Sequence, residues 1–165
     1  MKVLGIDPGT ATVGYGVVER PREPGRSLRL LECGVIRTGP RDSLPRRLQI
    51  IHEGLAELIA RHHPDVLAVE DIFFATNVRT TVVLGHARGV ILLAGAEAGV
   101  AVTEYSPALV KKTVVGRGAA LKPQVGFMVA KLLKLEAPPR PADAADAIAV
   151  ALTHFFTTNR IRVGR

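Results

Sequence analysis

The 165-residue sequence contains one cysteine, two methionines and no tryptophan. A single cysteine, Cys33, excludes a disulfide framework within the chain and a cysteine-based metal centre. It fits a reduced, cytoplasmic protein, and Cys33 itself reads as a small buried hydrophobe. Aromatics make up only 4% of the chain. Long hydrophobic runs are missing too. The most apolar stretch, Val82–Val102, is broken by His86, Arg88 and Glu97, so it makes a poor membrane span. The N-terminus meets charge at Lys2 and Asp7, too early for a secretory signal. Acid is the scarcer charge, with 15 Asp+Glu against 22 Lys+Arg and a formal net charge of +7. That surplus points towards a polyanion, most often nucleic acid. Small basic proteins that bind nothing specific share the same balance. Hydrophobic residues at 47% and charged ones at 22% exclude a mostly disordered chain. The length suits one domain with its own core.

Hydrophobic periodicity then divides the chain. Lys2–Ile6 reads as a buried strand that ends at the turn signal Asp7-Pro8-Gly9. Val13–Glu19 and Leu28–Arg37 read as two more strands, joined by the Pro-, Arg- and Gly-rich loop 20–27. Short connections predict an antiparallel meander. Ser43–Arg61 carries Leu44, Leu48, Ile51, Leu55, Leu58 and Ile59 at helical spacing. Val66–Glu70 is an apolar strand, 77–99 a long helix apolar nearly all round, and Val100–Tyr105 a fifth strand. A helix of that kind must be covered on two sides, one by the sheet and one by a partner subunit or by the rest of the chain. Ser106 can cap a helix to Val115; Lys122–Leu133 and Ala142–Thr157 are further helices. The order β-β-β-α-β-α-β-α-α-α predicts an α/β fold, a mixed five-stranded sheet with helices on both faces. In such sheets sites gather beyond the carboxyl ends of the parallel strands.

Four acids stand at informative places. Asp7 closes the first strand and Glu70 the fourth, while Asp143 and Asp146 share one face of the last helix at a spacing of three. If the first and fourth strands are parallel neighbours, Asp7 and Glu70 lie side by side, with the last helix above them. Four ionised carboxylates cannot crowd together without a cation, and hard oxygen ligands suit Mg²⁺ or Mn²⁺. Each acid also has an ordinary structural reading. Asp7 can belong to a turn, Glu70 can be a solvated strand end, and Asp143 and Asp146 can simply favour a helix N-terminus.

The segments Leu4-Gly5-Ile6-Asp7-Pro8-Gly9-Thr10, Val69-Glu70-Asp71-Ile72-Phe73, Leu84-Gly85-His86-Ala87-Arg88-Gly89, Val110-Lys111-Lys112-Thr113-Val114-Val115-Gly116 and Ala142-Asp143-Ala144-Ala145-Asp146-Ala147 together resemble the bacterial RuvC family. These are Holliday junction resolvases, crossover junction endodeoxyribonucleases of the RNase H-like fold. The resemblance runs over nearly the whole chain. It implies that Asp7, Glu70, Asp143 and Asp146 are catalytic metal ligands. It also implies Mg²⁺ dependence, with two ions per subunit and Mn²⁺ as a substitute, a homodimer, and a four-way DNA junction as substrate. A junction-migrating helicase complex is the further partner implied. The reaction would be phosphodiester hydrolysis to 5′-phosphate and 3′-hydroxyl ends in recombination and repair. A two-fold dimer independently suits a substrate that needs two symmetric nicks. Helix 77–99 is the candidate interface.

Ser106–Leu135 holds six basic residues, Lys111, Lys112, Arg117, Lys122, Lys131 and Lys134, and no acid. Such a stretch neutralises phosphates. By resemblance, Lys111 and Lys122 match lysines that bind DNA near the site, with Lys112 and Arg117 as further candidate contacts. Phe73 matches the position that stacks on an unpaired base, and Phe74 reads as core. For Lys131 and Lys134 a solvated helix face is the simpler reading. The nuclease domain is expected over residues 1–158, with 159–165 as a basic tail. His62-His63 reads as a helix C-terminus and His154 as a packing residue.

Three rivals fit less well. An actin-like or sugar-kinase phosphotransferase also opens with Ile-Asp-x-Gly-Thr, but it needs two lobes. A YqgF-type resolvase-like protein normally carries a basic residue in the loop where this chain has Thr10-Ala11-Thr12. A non-catalytic DNA-binding module explains the charge but not the acids.

Overall fold

The computed structural model describes residues 1–23, 25–72, 78–118 and 121–163, with Lys122 and residues 159–163 as backbone only. The described residues form five strands and five helices: β1 (Lys2–Asp7), β2 (Thr12–Glu19), β3 (Arg29–Arg37), α1 (Leu44–His62), β4 (Val66–Glu70), α2 (Val78–Glu97), β5 (Ala101–Tyr105), α3 (Pro107–Val115), α4 (Lys122–Leu133) and α5 (Ala142–Val163). The sheet order is β3-β2-β1-β4-β5. The first three strands form the expected antiparallel meander, and β1 and β5 each run parallel to β4.

Strand pleat sorts the core into two layers. Leu4, Ile6, Leu67 and Val69 face one way and pack on Ile51, Leu55 and Leu58 of α1 and Ala87, Ile91 and Ala94 of α2. Val3, Ala68 and Tyr105 face the other way, against α3, α4 and α5. Fully buried Ile148, Leu152 and Phe155 anchor α5, each contributing about 1.5–3 kcal/mol by leaving water. Tyr105 hydroxyl and His154 Nδ1 meet at 2.8 Å inside that layer. His154 is therefore the packing residue its position suggested.

Two differences from the sequence reading stand out. Helix α5 continues to Val163, past the expected end at Thr157. Cys33 is half-buried rather than fully buried. Of α2, Ala87, Ile91, Ala94 and Gly95 are buried, whereas Val78, Val82 and Leu93 are exposed. Among the described residues, the helix is covered on one side only.

Candidate active site

Parallel pairing of β1 with β4 sets Ile6 opposite Val69, which brings Asp7 and Glu70 out at the same sheet edge. Asp7 follows Val3 and Gly5 on the α5 face, and Glu70 follows Ala68 there. Close packing of α5 on that face completes the group. A Cβ on Gly5 would overlap the Ala147 carbonyl oxygen, and one on Gly14 would overlap that of Asp143. Gly5 pairs with Gly16, and Asp7 with Gly14, in the β1–β2 register. These glycines, opposite alanine-rich Ala142–Ala151, let the helix lie almost against the strand backbone. The first turn of α5 therefore hangs its acids beside Asp7. Sequence reasoning passed over these glycines. Their signal was present as small residues at alternate positions of two strands, matched by an alanine-rich helix.

Carboxylate oxygens of Asp7, Asp143 and Asp146 lie within 4.8 Å of one another. Glu70 joins from the side, in hydrogen-bond contact with the Asp7 carboxyl. Its pKa is pushed up from the ordinary 4.5 to about 8. Burial is the largest cause, followed by the charge of Asp7, the shared hydrogen bond and the charge of Asp146, with the Lys111 ammonium acting the other way. A carboxyl that keeps its proton at neutral pH marks uncompensated negative charge. The donor set is all hard oxygen, so these residues fit a divalent cation of the Mg²⁺ or Mn²⁺ type. The cation would replace the proton.

A cleft of about 120 Å³ opens here, lined by Asp7, Glu70, Asp146, Lys111, Val110, Pro107 and Val125. Helix α3 delivers Lys111 to it. Ser106 caps the helix by accepting from the Leu109 amide at 3.3 Å, Pro107 occupies the first turn, and Gly116 ends it in the left-handed region at φ 86°. Pro107, Val110, Lys111 and Val114 share the inward stripe. Lys112 and Arg117 are exposed beyond it. Lys122 opens α4, its side chain outside the description; Phe73 and Phe74 lie outside the described residues. A larger, arginine-rich groove of about 520 Å³ sits at the Met1 end of β1, the far end of the strand from Asp7.

Residues 3–154 match the family model described as crossover junction endodeoxyribonuclease RuvC. The chain belongs to the RuvC family. A RuvC from Salinispora arenicola is 51% identical over 156 residues, covering 94% of this chain and 88% of that relative. The structure of Thermus thermophilus RuvC in complex with Holliday junction substrate superposes with a TM-score of 0.89 at 39% identity, over 97% of this chain and 96% of the other. The yeast mitochondrial Holliday junction resolvase Ydc2, at 16% identity, shares the fold with a TM-score of 0.73 over 99% of this chain and 81% of its own. The RNase H-like α/β fold expected from the sequence is the one observed. The family consists of metal-dependent DNA endonucleases that act on four-way junctions, and Asp7, Asp143 and Asp146 form an acidic group whose oxygens are spaced as metal ligands can be. Among the described residues, no helix is long and apolar enough to cross a membrane.

Proposed function

We propose that this chain resolves four-way DNA junctions by metal-dependent hydrolysis at Asp7, Glu70, Asp143 and Asp146. The observation that carries the reading is the convergence of these four acids from three separate elements into one cluster, within a chain of the RuvC family. Two Mg²⁺ ions, or Mn²⁺ in their place, would lower the pKa of an attacking water and stabilise the leaving 3′-oxygen of the phosphodiester. Asp7, Asp143 and Asp146 supply the oxygens that hold such charge, and Glu70 completes the set once its proton is displaced. Lys111 faces the same cleft and attracts the phosphate. Lys112, Arg117 and Lys122 are assigned to further phosphates of the incoming strand, and Phe73 to stacking on a base at the junction centre. The products carry 5′-phosphate and 3′-hydroxyl ends, ready for ligation.

The nuclease occupies residues 1–158 and works as a homodimer in the cytoplasm. Exposed Val78, Val82 and Leu93 on α2 support self-association, because such residues gain from burial against a second copy. Two copies related by a two-fold axis present two identical sites to a two-fold substrate. A junction-migrating helicase complex would deliver that substrate.

A labelled four-way junction tests the reading directly. Asp7→Asn protein should bind it with affinity near that of the wild type and leave it uncut in Mg²⁺. Wild-type protein should cut it with paired symmetric nicks, cut a plain duplex poorly, and stop in EDTA. Cleavage by Asp7→Asn would remove the metal-site assignment.

A further inference from the structure

Glu70 and Asp71 are adjacent acids at the end of β4, and strand pleat sends them to opposite faces of the sheet. Glu70 lies on the α5 face with Asp7. Asp71 follows Leu67 and Val69 onto the α2 face. There Arg88 of α2 reaches two carboxylates at once. Its Nε lies 3.6 Å from Asp71 Oδ1, and its Nη2 ion-pairs with Glu104. Glu104 stands on β5 opposite Val69, with Tyr105 opposite Glu70. The Asp71 amide donates to the Tyr105 carbonyl at 2.8 Å, carrying the ladder one residue past Glu70. Asp71 Oδ1 also accepts from the Ile72 amide at 2.8 Å, which shapes the chain as it leaves the strand.

We propose that Arg88 is a positioning residue for Glu70, acting from the opposite face of the sheet. It ties the carboxyl ends of β4 and β5 to α2, and it neutralises the two acids beside the cluster that do not belong to it. Without the guanidinium, Asp71 and Glu104 would repel across neighbouring strands, which is destabilising in a sheet. Twisting the end of β4 relieves that repulsion and turns Glu70 away from Asp7. An arginine suits the task because its planar fork spans two carboxylates, whereas a lysine offers one compact charge. The assignment rests on the reading of Glu70 as part of the nuclease site.

The test compares wild type with Arg88→Ala, Arg88→Lys and the double variant Arg88→Ala with Glu104→Gln. Mn²⁺ binding is measured by calorimetry without DNA, and single-turnover junction cleavage is measured across a range of Mg²⁺ concentrations. Removing a group that orients a metal ligand typically costs about 10–100-fold in metal affinity or activity. Arg88→Ala should fall in that range on both readouts, keep junction affinity within about twofold of wild type, and recover rate at high metal. Arg88→Lys should lie in between. The double variant should regain part of the loss, because one of the repelling charges is gone. Wild-type Mn²⁺ affinity and cleavage in folded Arg88→Ala protein, or losses no greater than the unfolded fraction seen by circular dichroism, would overturn the assignment. So would a wild type that binds no Mn²⁺. A wild type that binds Mn²⁺ yet leaves junctions intact overturns the nuclease reading instead, and the binding arm still judges Arg88.

Discussion

At the scale of the residue, Glu70 is the group whose chemistry the fold changes most. Its pKa, raised from 4.5 to about 8 by burial and by Asp7, means that the folded metal-free protein holds a proton which the unfolded chain has already lost. Stability from this group is intact below about pH 4.5 and is lost as the pH rises through about 8. Thermal melts in EDTA should therefore show a falling midpoint across that window. Glu70→Gln should flatten the fall, and a divalent cation should restore the midpoint most at the alkaline end. Identical slopes for the variant and the wild type would count against the assignment. His154, whose pKa burial lowers, contributes with the opposite sign, losing stability as the pH drops through its range. Comparison with Glu70→Gln removes that shared background. Lys112 offers a second residue-scale test. It is exposed and beyond the inward stripe of α3. Lys112→Ala should reduce the slope of log K against log salt for junction binding by roughly 0.9, the value expected for one phosphate contact on duplex DNA. Cleavage at saturating protein should stay unchanged. An unaltered slope would place Lys112 off the DNA.

At the scale of the element, the decisive event is how closely α5 approaches β1 and β2. Gly14 marks the tightest point, since an added Cβ there meets the Asp143 backbone. Backbone cannot swing aside as a side chain can. Gly14→Ala should cost about 1–3 kcal/mol, the usual range for overpacking, read from the denaturant midpoint. It should lower cleavage by more than the loss of folded protein explains, because Asp143 and Asp146 move with the helix. Full activity at reduced stability would show that the site tolerates displacement of α5. Periodicity exposed the elements themselves well: β4 and α4 were found to the residue, and the meander was read from its short connections. It stopped α5 at Thr157, because apolar spacing fades there, yet the helix runs on to Val163. Local backbone hydrogen bonding can carry a helix beyond the reach of an apolar period.

At the scale of the whole molecule, α2 has its inner residues on the core and Val82 and Leu93 exposed, at 54% and 50%. The proposed dimer uses this outer face. Val82→Asp combined with Leu93→Asp should leave the monomer folded, since neither side chain belongs to the core, and should shift sedimentation to the single-chain mass. Junction cleavage should then yield single nicks in place of paired ones. A double variant that still sediments as a dimer would move the interface elsewhere. The net charge of +7 also reads differently at this scale. It averages a concentrated acidic pole, held by β1, β4 and α5, with a basic surround. In the proposed reading the surround attracts the DNA, and the pole would hold the metal that activates water for its hydrolysis.

The sequence by itself determined the alternating apolar strands, the amphipathic α1, the placement of Asp7 and Glu70 at strand ends, and the one-face spacing of Asp143 and Asp146. Each follows from local periodicity, which a reader can count along the chain. The tertiary structure alone decided that α5 descends far enough for its acids to meet Asp7. It also decided that Glu70 leans on Asp7 and keeps a proton, and that Arg88 joins Asp71 to Glu104 behind the sheet. These contacts depend on helix height over a strand and on register between strands distant in sequence. Small residues at Gly5, Gly14 and Gly16 permit the close approach, but height and register are fixed only when the two packed layers close on the same sheet.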